Sequence, residues 1–534
     1  MIGEKVNNRY ILHHVINIGG MGVIYRASDL LLRGTPDEFV ALKRVLAGTT
    51  NKTDASRGRV ALAREFHVLA TLRHPNIISV LDYGFDNGGM PFYTMELLED
   101  AQTFTAAGKD LSLDEQVQLF IQLLQALAYL HRHHIVHRDI KPANVLVAPN
   151  NHLKVLDFGL ASLHEQSAAN NMVGTLKYMA PELLVHQPST LTSDLYAAGL
   201  LAFEMITSTY PYEEVNTQQL LHDILSKSVD MTPLHMVAHQ HGLDEVQRNR
   251  FVLIFERLLA KDPRARYTSA YEVIEELCIT LNMPLPAENA AIRAGYIESA
   301  RFVGRDEELR LLEDALAQVI PPLEGEPLRQ ESGGSMWLIG GEGGIGKSRL
   351  LEELRIRALV RGVLVLSGNG DAEVKRPFAW WGDVVRRLII EVPITDYECA
   401  LLKYIVPDLP RILDRNIDDI KPDENRGDFY KRLSHLIIDL LRRATQENQR
   451  AVVLLLDDLH AADEESFLPL QELQTAIPEF RLLVIGAYRD EDVQSDAWLR
   501  LPDANHIQLN RLNLDAITQL TVYMLGETGA QPHV

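Results

Sequence analysis

Residues 137–144 read HRDIKPAN, and thirteen residues after Asn144 the chain reads DFG, at Asp157, Phe158 and Gly159. A fold that brings these two motifs to one point assembles a specific chemistry. Asp139 is a carboxylate to stand beside an acceptor hydroxyl, and Lys141 is a cation for a γ-phosphate. Asn144 and Asp157 supply oxygen ligands for Mg²⁺, completing the set that phosphoryl transfer from ATP requires. A second phosphate signature, GEGGIGKS, follows at 341–348. Two nucleotide machines on one chain are therefore expected.

A length of 534 residues allows two to four domains, each able to bury its own core, and 46% hydrophobic with 23% charged residues is ordinary globular material. With 52 basic against 73 acidic residues the net charge is -21, which argues against a broad nucleic-acid surface. Cys278 and Cys399 are far apart and show no CxxC spacing, so neither a disulfide framework nor a zinc ribbon is indicated, and a reducing compartment fits. The start, MIGEKVNNRY, lacks the apolar stretch of a signal peptide, and no run of eighteen apolar residues follows. The expected location is cytoplasmic, with no membrane contact.

Three regions are expected: residues 1–283, a linker at 284–300 and residues 301–534. Pro284 and Pro286 stop the amphipathic segment before them, since proline cannot continue a helix. TTNKTDASRG at 49–58 and GEPLRQESGG at 325–334 read as surface loops. The first region opens with strand-like runs around a glycine turn, giving a small β-lobe to about residue 96 and a helical lobe over about 97–283. Between Ser112 and His131, Val117, Ile121, Leu124, Leu127 and Leu130 recur at three- and four-residue steps, and Ser112 with Glu115 makes a capping box. The third region alternates apolar strands (MWLIG, VLVLSG, AVVLLLDD, RLLVIGAY) with helices such as KSRLLEELRIRALV, the pattern of a parallel sheet covered on both faces.

Around the first motif pair other groups fall at compatible distances. Gly19, Gly20 and Gly22 form a glycine turn, weak evidence alone. Lys43, in VALK at 40–43, sits on a half-buried strand where its ammonium can reach α- and β-phosphates, and Glu65 lies on an amphipathic helix able to pair with it. GTLKYMAPE at 174–182, SDLYAAG at 193–199 and DPRAR at 262–266 follow. Together these resemble bacterial Hanks-type Ser/Thr protein kinases across residues 10–280. The resemblance implies a bilobal α+β kinase fold. Met95 becomes the gatekeeper, the backbone of Glu96 and Leu98 the adenine contact, and Ile24, Ala41 and Leu146 the sandwich around the base. Glu182 with Arg266 is implied as a buried ion pair, and Asp194 as the brace of the catalytic loop. Lys141 and Thr175 favour Ser/Thr acceptors, and Arg138 points to control by phosphorylation at Ser167 or Thr175. Asn17 replaces the first glycine of the family's loop, and since Asn tolerates left-handed backbone better than other non-glycine residues, the loop is expected to form. His131, His133, His134 and His137 read as structural rather than metal-binding.

GEGGIGKS fits a P-loop between strand and helix. Amides around Gly341, Gly343, Gly344 and Gly346 are expected to wrap phosphates, Lys347 to bridge β and γ, and Ser348 to hold Mg²⁺. Asp457, ending a buried strand, is the water-mediated Mg²⁺ partner, and Asp458 orients the attacking water. FVGRDEEL, LLLDDLHAADEES and LLVIGAYRDEDV resemble the AAA-like P-loop ATPase of STAND signalling proteins, of the ASCE α/β type, where Arg489 corresponds to a γ-phosphate sensor. Kinase followed by ATPase resembles PknK-type regulators, relative to which a lid and C-terminal repeats are expected to be missing. The expected cofactors are ATP and Mg²⁺, with Mn²⁺ as alternative. The expected partners are protein Ser/Thr substrates and a regulatory protein at the ATPase module. The competing reading is a signalling scaffold whose kinase is weak or only autophosphorylates.

Overall fold

The computed structural model describes residues 3–19, 22–45, 52–157, 176–212, 216–286, 302–320, 333–369, 376–420, 426–446, 450–491 and 500–525. Gly20, Phe158, Gly159, Ser162, Ser167, Thr175 and most of the expected linker lie outside them.

Six antiparallel strands open the chain: β1 (Lys5–Val6), β2 (Tyr10–Gly19), β3 (Gly22–Asp29), β4 (Phe39–Arg44), β5 (Val80–Phe85) and β6 (Pro91–Glu96), in the order β1-β2-β3-β4-β6-β5. The VALK strand was expected to be half-buried, but both of its faces are covered. Val40 and Leu42 enter one core and Ala41 the other, and Lys43 is only 4% exposed. At that depth the lysine must find its counter-charges inside. Helix Lys52–Thr71 packs on this sheet through Leu62, Phe66, Leu69 and Ala70. Residues 52–58, expected as part of a polar loop, are its first two turns. Polar composition is a weak helix signal, whereas extending a helix already held by packing costs little.

The segment after this helix ties the two lobes together. The Arg73 amide donates to the Tyr129 hydroxyl at 2.9 Å, and Asn76 Nδ2 donates to Gln122 Oε1 and the Leu153 carbonyl, each at 3.0 Å. In the second lobe, helix Leu113–Arg132 begins at the expected Ser112–Glu115 capping box and packs between helices Leu191–Thr207 and Ala270–Leu281. A small sheet of β7 (Gln102–Thr103), β8 (Val145–Val147) and β9 (Leu153–Val155) carries the two polar motifs. Arg266 and Glu182 form a two-pronged buried pair, with both N–O distances 2.8 Å, and Ser193 Oγ also donates to Glu182 at 2.7 Å.

The last region is a five-stranded parallel sheet: β10 (Ser335–Gly340), β11 (Leu364–Asn369), β12 (Val452–Asp457), β13 (Leu482–Ala487) and β14 (Asn505–Gln508), in the order β11-β12-β13-β10-β14. Apolar cores cover both faces, which is why β12 and β13 are almost uninterrupted Val, Leu and Ile. Helix Lys347–Val360 follows β10. Its Leu350, Leu354 and Ala358 belong to this region's core, while Ile356 and Leu359 belong to the core of the first region. One helix thus serves two cores. Among the described residues no helix is long and apolar enough to cross a membrane.

His74 gives the fold a pH dependence. Its ring lies tilted, 4.8 Å from that of Tyr129, its Nδ1 accepts from the Asn76 amide at 3.1 Å, and burial, aided by nearby Lys154, His152 and His133, pulls its pKa down to about 3. The unfolded chain binds a proton near pH 6.5 that the folded chain refuses, so this stability is complete above that pH and is lost as pH falls toward 3. His74→Gln should flatten the decline of Tm between pH 6.5 and 4 relative to the native chain, as measured by calorimetry across that range.

Candidate functional site

Lys43 is the meeting point of three elements. Its Nζ lies 2.9 Å from Glu65 Oε1 and 2.8 Å from Asp157 Oδ1. The Tyr93 hydroxyl, unnoticed in the sequence, also donates to Glu65 Oε1 at 3.1 Å. Burial works against the Lys43 ammonium, but Tyr93, Asp157 and Glu65 together raise its pKa well above the usual value. Burial pushes the Glu65 carboxyl up, against the pull of Lys43. The ammonium thus stays charged and fixed.

The second cluster forms at the HRDIKPAN loop. Asp139 Oδ2 takes Lys141 Nζ at 2.7 Å and Asn144 Nδ2 at 2.9 Å. Asp194 holds this loop from below: its Oδ2 accepts from the His137 amide at 2.8 Å, its Oδ1 from the Arg138 amide at 2.9 Å, and His131 Nε2 lies 2.9 Å from Oδ2. His131 is accordingly a brace, a role its position at a helix end did not disclose. The loop is also tied to the segment bearing Asp157, because His137 Nε2 meets the Leu156 carbonyl at 2.9 Å and the Leu156 amide donates to the Asn144 carbonyl at 2.8 Å. Asp157 itself has φ 44° and Arg138 has φ 72°, left-handed values that non-glycine residues adopt where surroundings over-determine them. Arg138 Nε is buried without a partner among the described residues. The segment carrying Ser167 and Thr175 lies outside them.

For a nucleotide base, Ala41 and Ile24 stand on β4 and β3, and Leu146 stands on β8. Met95 is buried at the end of β6. The Glu96 amide is committed to the Ser79 carbonyl at 3.0 Å, and its carboxylate to Lys154 at 2.7 Å. Gly22 passes so close to β4 that an added Cβ would lie 2.3 Å from the Arg44 carbonyl oxygen. For a divalent cation, Asn144 spends its amide nitrogen on Asp139, leaving its carbonyl oxygen, and Asp157 spends Oδ1 on Lys43, leaving Oδ2. Two hard oxygens fit Mg²⁺.

In the parallel sheet, Lys347 Nζ bridges the Gly341 and Glu342 carbonyls at 2.8 Å each, closing the loop around its own backbone. Gly344 (φ 74°) and Gly346 (φ 104°) supply the left-handed turns, and the space around Gly343, Gly344 and Gly346 is open, as phosphate-facing amides need. Asp457 ends β12, and Asp458 (φ 55°) donates its amide to Asp457 Oδ1 at 2.9 Å. Arg489, just past β13, lies 3.6 Å from Asp458 Oδ1. Burial first, then Arg489, draws Lys347 below the usual lysine range, with Asp490, Asp457 and Asp458 opposing. Ser348 is exposed at the helix start, and its hydroxyl with Asp457 again offers hard oxygens. Buried Arg305, from FVGRDEEL, was not anticipated as a link; it donates to the Asn510 and Ile345 carbonyls, pinning the loop to the end of β14.

A family model described as protein kinase domain matches residues 10–278, and one described as AAA ATPase domain matches residues 301–485. Serine/threonine-protein kinase PrkC of Bacillus subtilis is 27% identical over 338 residues, covering 62% of this chain and 47% of that protein. Serine/threonine-protein kinase pkn3 of Myxococcus xanthus is 33% identical over 225 residues, 40% of each chain. A probable serine/threonine-protein kinase PknB of Lactococcus lactis is 28% identical over 296 residues, 54% of this chain and 45% of that one. The chain thus spans less than half the length of these relatives.

Two separate phosphate sites should bind nucleotide independently enough to count. Isothermal titration with a non-hydrolysable ATP analogue and Mg²⁺ should give two sites per chain, and Lys347→Ala should leave one. EDTA should weaken both, since each phosphate site pairs its lysine with free oxygen donors.

Proposed function

The chain belongs to the protein kinase family and carries an AAA ATPase domain after its kinase domain, and from that premise we propose that it transfers the γ-phosphate of ATP to serine or threonine hydroxyls of proteins, under regulation by the second nucleotide site. The observation that carries this reading is a pair of polar clusters, Lys43 with Glu65 and Asp157, and Asp139 with Lys141 and Asn144, joined through the Leu156 amide's bond to the Asn144 carbonyl. Asp139 Oδ2 is occupied by Lys141 and Asn144, so Oδ1 is the oxygen for the acceptor's proton. Lys141 neutralises charge on the phosphoryl in flight, and Lys43 orients the α- and β-phosphates. Asn144 and Asp157 would hold Mg²⁺, which when bound neutralises the phosphate oxygens. The similarity to three bacterial Ser/Thr kinases supports the acceptor class. The order kinase then AAA domain supports a signalling regulator of the PknK type.

At the second site Lys347, Ser348, Asp457, Asp458 and Arg489 support nucleotide binding, with Arg489 poised beside Asp458 to report on a γ-phosphate.

Asp139→Asn keeps the shape of the loop but removes the proton acceptor. Transfer of radiolabelled phosphate to a basic peptide should fall by about 10²–10⁴-fold with the far-UV circular dichroism unchanged. Undiminished transfer would falsify the assignment.

A further inference from the structure

Helix Lys347–Val360 has two faces with two owners. Leu350, Leu354 and Ala358 recur every fourth residue and belong to the core of the AAA sheet, while Ile356 and Leu359, 0% and 7% exposed, belong to the first region's core together with Leu62, Phe66 and Leu69 of helix Lys52–Thr71 and Tyr83 of β5, the two elements that this helix contacts. His67, two residues beyond Glu65, faces Arg349, Glu353 and Arg357 of the P-loop helix. Burial and the two guanidiniums hold its imidazole below the usual range, so a neutral ring can sit against that charged face. The helix ends in a Gly362 turn (φ 78°), in which the Gly362 and Val363 amides donate to the Leu359 and Ala358 carbonyls at 2.9 and 3.1 Å. That glycine abuts β5 so closely that an added Cβ would be 3.2 Å from the Phe85 ring.

We infer that the P-loop helix is the positioning element for Glu65: Ile356 and Leu359 hold the helix that carries Glu65 against Lys43, so the AAA domain sets the turnover of the kinase cleft. This rests on the kinase reading above. The helix that bears Glu65 is gripped at its end by the lobe tie at Arg73 and Asn76 and, on the face toward the AAA domain, by the P-loop helix. The other end of the P-loop helix is Lys347, the phosphate lysine. With 1.5 Å rise per residue, its fourteen residues span about 20 Å, a rigid strut with a nucleotide at one end and Glu65's support near the other. Ile356 and Leu359 are accordingly positioning residues, touching no reacting atom.

Steady-state phosphorylation of a basic peptide by the full chain tests this. Ile356→Glu should lower kcat by about 5- to 150-fold with KM for the peptide little changed, while Ile356→Val stays near the native rate. Retained nucleotide binding at the P-loop in Ile356→Glu, measured by calorimetry, marks an intact AAA domain. Should that variant fail to fold, Leu359→Ala is the gentler probe, expected to lower kcat in the same direction. A lowered Tm with native kcat in either variant overturns the inference and leaves the contact as packing alone. A native chain as inert as Asp139→Asn would instead sink the kinase reading itself.

Discussion

One buried ammonium organises the kinase domain. Lys43 lies between Glu65 and Asp157, which come from a helix and from the loop after β9, so a strand, a helix and the second lobe meet at a single charge. A buried cation without partners costs several kcal/mol, and removal of one partner from a buried pair typically costs about 3–5 kcal/mol, so each of the three elements is held to the other two. Tyr93 closes the set by donating a hydrogen bond to Glu65. The proposed chemistry depends on these few ångströms, since Lys43, proposed for the phosphates, and Asp157, proposed for the cation, are positioned by the same contact.

The same economy governs the catalytic loop. Asp194 accepts two main-chain amides and faces His131, and that fixes the unusual backbone of Arg138. Glu182 and Arg266 do for the second lobe what Lys43 does for the first, joining distant segments through a charge pair that water cannot reach. In the AAA domain the corresponding device is Lys347, tied to its own loop's carbonyls, with Arg305 fastening that loop from outside. In each case charge is hidden where geometry has to be exact to a few tenths of an ångström.

Much of this was legible in the sequence because the chemistry is local. HRDIKPAN, DFG and GEGGIGKS name their atoms, and the alternation of apolar strands with helices gives the parallel sheet. What escaped was non-local. Nothing near Tyr93 or His131 in the chain hints at Glu65 or Asp194, because the pairs are 28 and 63 residues apart. The start of helix Lys52–Thr71 was hidden by its polar composition, and the depth of Lys43 by the apparent alternation of VALK. Ile356 and Leu359 read as ordinary apolar positions of an amphipathic helix, and periodicity does not say whose core a side chain enters.

The shared helix also bears on where this chain can be divided. Pro284 and Pro286 are where the sequence suggests a boundary, but the two cores meet elsewhere, on helix Lys347–Val360. A cut at the linker would remove Ile356 and Leu359 from the core they share with Leu62, Phe66 and Tyr83 and expose apolar surface on helix Lys52–Thr71 and β5. The kinase half obtained that way would be a different surface from the one it has in the whole chain, stickier and less soluble, so the natural unit for handling the catalytic lobe includes the helix that begins at Lys347.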